Sequence, residues 1–156
     1  AEMSEAALHG APQDAIARVR ARRPRVMTAT SDVHEHGKML IEDIARRIGA
    51  EPLDGGVSTD PDRLARLAAA ERPDAIALST YNGVALTYFK ALQVALRDEG
   101  LDIPVLIGGR LNQIPDQSNS SLPVDVGTEL TQAGALVCTD AKDLLSTLDR
   151  LFGSKP

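Results

Sequence analysis

The sequence predicts a three-layer α/β domain, in which a parallel β-sheet lies between two layers of helices. Two observations support this. Short apolar runs alternate along the chain with longer segments whose apolar residues recur at helical spacing. Parallel neighbouring strands need a long crossover, which a helix supplies, so this alternation favours a parallel sheet. The length of 156 residues suits one domain, and 43% hydrophobic with 25% charged residues is typical of a globular protein.

The elements follow one another after a polar N-terminal arm, residues 1–24, that carries a short helix. Gly49 and Gly100 stand where helices commonly end, and Asp60 before Pro61 is typical of a helix start. In chain order we predict a helix at Gln13–Arg22, a strand at Arg25–Thr30, a helix at Lys38–Ile48, a strand at Glu51–Asp54, a helix from Pro61, a strand at Asp74–Ser79, a helix at Ala85–Arg97, a strand at Ile103–Gly108, a polar loop at Arg110–Leu122, a weak strand at Gly134–Thr139 and a helix at Ala141–Leu151.

Three of the predicted helices have an apolar face that we expect to be turned inward. The faces consist of Leu40, Ile41, Ile44 and Ile48; of Leu64, Leu67 and Ala68; and of Leu144, Leu145, Leu148 and Leu151. Five strand and helix units suit a doubly wound, flavodoxin-like sheet with strand order 2-1-3-4-5. The ligand crevice of such a sheet lies beyond the carboxyl ends of strands 1 and 3, where the chain reverses direction.

The loops at that edge carry the candidate site residues. They read SDVHEHG after strand 1, STYNG after strand 3 and GGRLNQ after strand 4. His34 is a candidate metal ligand, and Asp32 is placed to hold its other ring nitrogen. No cluster of Cys, His and Asp completes a zinc or iron site, so a single ligand suits a metal already bound in a macrocycle. His36 is expected to be exposed, and Cys138 to be a buried strand residue.

The set Asp32-x-His34-x-x-Gly37, Ser79-x-Tyr81 and Gly108-Gly109 resembles the pattern DxHxxG, SxL, GG of cobalamin-binding domains. The resemblance extends from about Arg25 to Leu151 and implies a cobalamin-binding domain at residues 25–156. The segment STYNGVALTYFKAL is also similar to the helix entry of adenosylcobalamin-dependent mutases related to methylmalonyl-CoA mutase.

The resemblance implies a role for each motif residue. His34 would displace the dimethylbenzimidazole of the cofactor and become the lower cobalt ligand, with Asp32 hydrogen-bonded to it. The freed nucleotide tail would pass Gly37, Ser79 would hydrogen-bond the benzimidazole, and Gly108 and Gly109 would pack near it. Three features depart from the family: Tyr81 stands in place of Leu, the loop after Gly109 is longer than in the mutases, and VCTDAKD lacks their Gly-Pro-Gly.

Three classes of function follow from the resemblance. First, the chain is the cofactor-carrying subunit or domain of a carbon-skeleton mutase, with adenosylcobalamin as the expected cofactor and a substrate-binding barrel as partner. On this interpretation no catalytic residue is assigned to the chain itself. Second, it is a corrinoid methyl-transfer protein, although such relatives carry a sizeable helical cap and tend to read His-Asp-Ile-Gly where this chain reads His-Glu-His-Gly. Third, it is a non-catalytic cobalamin carrier or sensor, or a flavodoxin-like module without cobalamin.

Charge and hydropathy limit the remaining possibilities. The formal net charge of -5 argues against non-specific nucleic-acid binding, which needs a basic surface. An arginine cluster near the first helix is expected to be a solvated helix end rather than a docking patch for an acidic partner. Its members are Arg18, Arg20, Arg22, Arg23 and Arg25. No stretch suits a membrane span or a signal peptide, so we expect a cytoplasmic protein.

Overall fold

The structure is a computed structural model that describes residues 2–31, 35–80, 84–109, 112–113, 124–125 and 127–153. Its helices and strands alternate as the sequence predicts. In chain order they are α1 Glu2–Ala7, α2 Gln13–Arg22, β1 Arg25–Thr30, α3 Glu35–Arg47, β2 Glu51–Asp54, α4 Pro61–Glu71, β3 Ala75–Thr80, α5 Ala85–Asp98, β4 Val105–Gly109, β5 Asn112–Gln113, β6 Val124–Asp125, α6 Gly127–Gln132, β7 Leu136–Val137 and α7 Ala141–Phe152.

The main sheet is five-stranded and parallel, with the order β2-β1-β3-β4-β7. The predicted order 2-1-3-4-5 is therefore confirmed, with β7 as the fifth strand. Strands β1 and β3 are buried almost throughout, because helices cover both faces of the sheet. The two-residue strands β5 and β6 pair antiparallel in a separate small sheet.

Alternate strand residues enter two separate cores. Met27, Ile76 and Leu78 pack on one face with residues of α4 and α5 such as Leu64 and Leu92. Val26, Ala77 and Leu106 lie on the opposite face, and they pack with apolar residues of three helices. Those residues include Val19 of α2, Ile44 of α3 with Ile48 directly after that helix, and Leu145 and Leu148 of α7. Some of the sheet residues that face α3 and α7 have small side chains. This face of the sheet carries the site described below.

Several local predictions need correction. Helix α3 begins at Glu35, ahead of the predicted start at Lys38, so Gly37 lies in its first turn. Leu151 was expected to face inward, yet it is 37% exposed, at the last turn of α7. Asp60 occupies the N-cap of α4, with Pro61 in the first turn, but its side chain makes no capping hydrogen bond. The helices α1 and α6 and the strands β5 and β6 were not predicted, and β7 is shorter than expected.

The arginine cluster is largely exposed, as expected for a solvated helix end, and its side chains also contact other parts of the chain. Arg18 forms a two-point contact with Asp149 of α7, with Nε at 2.8 Å and an Nη at 2.9 Å from its carboxylate oxygens. Arg20 donates to the carbonyl of Arg47 over 2.9 Å. Glu51 forms weaker ion pairs, 3.5 Å from Arg23 and 3.8 Å from Arg25, and Arg25 also donates to the carbonyl of Glu71 over 2.8 Å. Among the described helices, none has the length and hydropathy that crossing a bilayer requires.

Candidate functional site

The carboxyl ends of β1, β3 and β4 lie side by side, and we call this edge of the sheet the rim. Thr30 pairs in register with Ser79, which pairs in turn with Gly108. The rim is held by hydrogen bonds beyond the regular strands: the amide of Ser31 donates to the carbonyl of Ser79 over 3.2 Å. Thr80 Oγ1 donates to the carbonyl of Gly108 over 3.3 Å. The strand ends that precede the motif segments therefore lie at one edge, as predicted.

A cavity of about 260 Å³ lies beneath the rim, between α3 and α7 and over β3 and β4. We call it the α3/α7 cavity. Its walls are mostly aliphatic, with a few polar groups near the rim. It is lined by Gly37, Leu40, Ile41, Ile44, Ala77, Leu78, Ser79, Leu106, Ile107, Gly108, Cys138, Thr139, Asp140, Ala141 and Leu144.

Two glycines bring the backbone close to the cavity. A Cβ atom added at Gly37 would overlap the hydroxyl oxygen of Ser79 and lie 3.4 Å from its Cβ. A Cβ added at Gly108 would lie 3.2 Å from the carbonyl oxygen of Cys138. The first turn of α3 can therefore approach β3 only because residue 37 has no side chain. Glycine at these two positions keeps the helix, the rim and the segment after β7 in contact.

The polar groups of the cavity belong to Ser79 and to the start of α7. Ser79 is 5% exposed, and its hydroxyl oxygen lies next to Gly37 in the first turn of α3. Asp140 caps α7, because its side chain accepts a hydrogen bond from the amide of Asp143 over 2.8 Å. Hydrogen bonds from the Thr139 hydroxyl and amide hold the pKa of Asp143 below its usual value. Hydrogen bonds thus fix the segment that closes the cavity to the first turn of α7.

Cys138 lies in the cavity wall and is 8% exposed, which confirms the predicted burial. Burial raises the pKa of its thiol. A thiol kept protonated is a poor metal ligand and a poor nucleophile. Cys138 therefore contributes shape and apolar surface to the cavity.

The predicted site residues fall into two groups. Gly37, Ser79 and Gly108 are brought together in the cavity wall, and Gly109 ends β4 in register with Thr80. Asp32, His34 and Tyr81 lie outside the described residues, so metal ligation by His34 and support from Asp32 stay predictions. His36 is exposed on α3, as expected. Within the described ranges, no group of three or more His, Cys, Asp or Glu residues is arranged to hold a metal ion.

Sequence reasoning missed the wall that α7 provides. Thr139, Asp140, Ala141 and Leu144 come from the segment after β7, to which no contact was assigned. The strand order could have indicated this wall. Because β7 lies beside β4 at the edge of the parallel sheet, the loop after β7 must open on the same rim. Leu40 and Ile41 were predicted as core residues, and their partial burial reflects their place in the cavity wall.

Comparison with known sequences agrees with the motif. The sequence model of the B12 binding domain matches residues 11–136. The "Probable methylmalonyl-CoA mutase large subunit" of Mycobacterium tuberculosis is 30% identical over 135 residues, and the protein of that name in Mycobacterium bovis matches equally well. The match includes 85% of this chain but only 18% of the length of those relatives.

Comparison with solved structures supports the fold. A cobalamin-binding protein from Desulfitobacterium hafniense DCB-2 is 25% identical, with a TM-score of 0.66 over 83% of this chain and 60% of that one. The methanol:cobalamin methyltransferase complex of Methanosarcina barkeri gives a TM-score of 0.67 at 18% identity, over 86% of this chain and 48% of that one. At such low identity the second likeness concerns the fold alone.

Proposed function

Since this chain belongs to the B12-binding domain family, we propose that it binds cobalamin with the benzimidazole detached from cobalt and His34 in its place. One observation carries the proposal: the α3/α7 cavity opens directly below the strand ends, and three motif residues from separate segments, Gly37, Ser79 and Gly108, line it. The segment that contains Asp32 and His34 joins the end of β1 to the start of α3, at the same edge.

The cavity fits the nucleotide tail of cobalamin in size and chemistry. Pockets that enclose a whole small ligand measure roughly 300–1,000 Å³, whereas a cavity of about 150 Å³ accepts benzene. The α3/α7 cavity, at about 260 Å³, therefore suits a bicyclic aromatic group rather than the entire cofactor. Its aliphatic walls match the faces of such a ring, and the Ser79 hydroxyl is placed to hydrogen-bond a ring nitrogen.

The residues of this chain would position the cofactor, which itself supplies a cobalt centre able to exchange an organic group. Leu40 and Ile41 on α3 and Leu144 on α7 would hold the two faces of the benzimidazole. His34 would bind cobalt through a neutral ring nitrogen, and Asp32 would accept the proton on the other nitrogen, which orients the ring. On this account the chain acts as a cofactor carrier, and we assign no catalytic residue to it.

We further propose that the chain is the cofactor-carrying part of an adenosylcobalamin-dependent carbon-skeleton mutase. The support is the 30% identity to the mycobacterial proteins, together with the fact that this chain spans about a fifth of their length. Once the α3/α7 cavity holds the tail, that cavity cannot also enclose a substrate radical, which must be shielded from water. Substrate binding is therefore assigned to a partner, expected to be a barrel subunit or domain that covers the cofactor.

Cofactor binding is tested by mixing the purified chain with adenosylcobalamin, removing the free cofactor by filtration and recording the visible spectrum. We expect retention at micromolar concentration with the benzimidazole detached. His34→Ala should lose histidine ligation and keep part of the tail affinity, while the matched control His36→Ala, two residues away and exposed, should behave like the wild type. Loss of all corrinoid from the wild-type chain on filtration would refute the proposal.

The mutase role needs a separate assay. The loaded chain is offered a panel of acyl-CoA and amino-acid substrates, with and without a candidate barrel protein. We expect isomerisation only when both proteins are present. Isomerisation by the chain alone would contradict the subunit role, and methyl transfer to a thiol or a pterin would favour the corrinoid methyl-transfer alternative.

A further inference from the structure

A buried lysine lies next to the cavity glycine in the first turn of α3. The side chain of Lys38 is 8% exposed, and its Nζ lies 2.8 Å from Glu42 Oε2 and 3.0 Å from Asp54 Oδ1. Glu42 Oε2 also accepts a hydrogen bond of 2.8 Å from Thr28 Oγ1, in the middle of β1. Asp54 Oδ1 accepts a second hydrogen bond, from the amide of Gly56 over 2.8 Å. One ammonium group therefore joins α3 to β1, to β2 and to the loop after β2.

This lysine is poorly placed for local helix stability. It is the fourth residue of α3, and a cation near the N-terminus of a helix is disfavoured by the helix dipole. Its helical partner Glu42 follows it at i+4, which is the weaker order for such a pair. Burying an ammonium group also carries a desolvation penalty that an apolar side chain would avoid. The helix dipole and the desolvation penalty both oppose a lysine at this position, and the ion pair with Glu42 offsets them in its weaker order.

The contacts of Lys38 keep it charged despite burial. Burial acts to lower the pKa of Lys38, but hydrogen bonds to Glu42 and Asp54 outweigh it and hold the pKa above its usual value. The same contact, with the Gly56 amide, holds the pKa of Asp54 below its usual value. The Lys38 ammonium group is therefore held in its charged form between the carboxylates of Glu42 and Asp54.

The position of Lys38 relates this network to the site. Its neighbour Gly37 contacts Ser79 on β3, whereas Lys38 contacts Asp54 on β2 directly and is linked to β1 through Glu42. The first turn of α3 is thus fixed from two sides, and it begins at Glu35, the residue that follows His34. A shift of this turn would move the end of the segment that carries His34.

We propose that Lys38 is a positioning residue that fixes the first turn of α3 against β1 and β2, and thereby sets where the segment before it presents His34. The part that concerns His34 rests on the proposed function. Lys38 does not touch the cofactor on this account. Its removal should change histidine ligation more than it changes affinity for the nucleotide tail, which depends on the α3/α7 cavity.

Two measurements on Lys38→Met test the proposal, with the same substitution at the exposed Lys90 as matched control. In the cofactor-free chain, amide hydrogen exchange at residues 39–42, whose amides donate to the carbonyls of the first turn of α3, should become at least tenfold faster, with less change in α5 and α7. In the chain loaded with cob(II)alamin, the nitrogen splitting in the electron paramagnetic resonance spectrum, assigned with ¹⁵N-histidine protein, should show histidine ligation reduced about tenfold. Retention of the corrinoid should fall less than threefold.

A second set of variants separates positioning from stability. Glu42→Gln, which keeps an acceptor but removes one charge, should give a smaller change in the same direction in both measurements. The double variant Lys38→Met/Glu42→Leu should recover the midpoint of urea unfolding, because no unpaired buried charge is left. Its histidine ligation should stay reduced. Recovery of ligation together with stability would overturn the proposal.

The outcomes distinguish this inference from the proposed function. If the wild-type chain shows no histidine ligation, the proposed function fails, and the exchange measurement still decides whether Lys38 fixes the first turn of α3. If the wild type binds through His34, and Lys38→Met matches it in both ligation and exchange, the positioning role is wrong while the proposed function stands.

Discussion

The contact between Gly37 and Ser79 allows a sharp test of how the cavity is built. Gly37→Ala should destabilise the protein, although alanine is the better helix former. Alanine in place of glycine inside a helix gains up to about 1 kcal/mol. Against this, the added Cβ would overlap the Ser79 hydroxyl, and forcing an extra methyl group into a packed contact costs about 1–3 kcal/mol. The expected net loss of stability is about 0–2 kcal/mol.

The substitution Ser79→Ala should reverse the sign of that effect. Once the hydroxyl oxygen is removed, the nearest atom left to the Cβ at residue 37 is the Cβ of residue 79, at 3.4 Å, which is close to ordinary contact. In that background Gly37→Ala should be neutral or stabilise by up to about 1 kcal/mol. The coupling energy between the two sites is then about 1–3 kcal/mol, within the range measured for residues in direct contact.

Urea unfolding of the wild type, both single variants and the double variant measures this coupling, provided that the m-values agree. The same four proteins should rank in corrinoid retention with Gly37→Ala weakest, because a displaced α3 changes one wall of the cavity. An equal cost of Gly37→Ala in both backgrounds would show that the Ser79 contact is not the reason for glycine at this position.

Three further predictions concern the surroundings of the site. Hydrogen bonds from Lys38 and the Gly56 amide lower the folded-state pKa of Asp54. The contribution of Asp54 to stability should therefore be complete above its unfolded-state pKa of about 3.9 and should be lost as the pH falls through its folded-state pKa. Asp54→Asn should flatten acid unfolding curves there, and an unchanged curve would contradict the assignment. Tyr88→Phe should lower the free energy of unfolding, measured with urea, by about 1–3 kcal/mol, because the buried Thr59 carbonyl loses its hydrogen-bond donor. An unchanged free energy of unfolding would show that this hydrogen bond does not stabilise the protein. Cys138 should react slowly with iodoacetamide and more slowly still with adenosylcobalamin bound, whereas equal rates would argue against occupation of the cavity.

The sheet could be predicted because apolar runs and amphipathic segments alternate so regularly. The elements that were missed lack those signals. Helices α1 and α6 are six residues each, too short for a periodic apolar face, and α6 buries a single large side chain, Leu130. The start of α3 was placed too late because Gly37 is a poor helix former. Glycine stands in this helical position because of its close approach to Ser79, despite its low helix propensity. Helix propensity alone contains no information about such a tertiary contact.

The site could be predicted in part, for a comparable reason. A parallel sheet brings the carboxyl ends of its strands to one edge, so Gly37, Ser79 and Gly108 could be assigned to a common rim from their positions alone. The opposite wall, formed by Ala141 and Leu144, depends on how closely α7 approaches α3, which packing decides. The burial of Lys38 could not be predicted either, because a lysine in a helical pattern is normally assigned to the solvent face.

The size of the α3/α7 cavity helps to explain which residues form its walls. The cavity has a volume of about 260 Å³ and opens at the rim, so its aliphatic walls meet solvent when it is empty. Apolar surface left in contact with water costs roughly 25 cal/mol per Å² relative to burial. Larger residues at Ala77 or Ala141 would shrink the cavity without altering the apolar pattern of their elements. Alanine at these two positions and glycine at 37 and 108 leave a cavity where larger side chains would fill the core. This arrangement is expected if a ligand occupies the cavity in the functional protein.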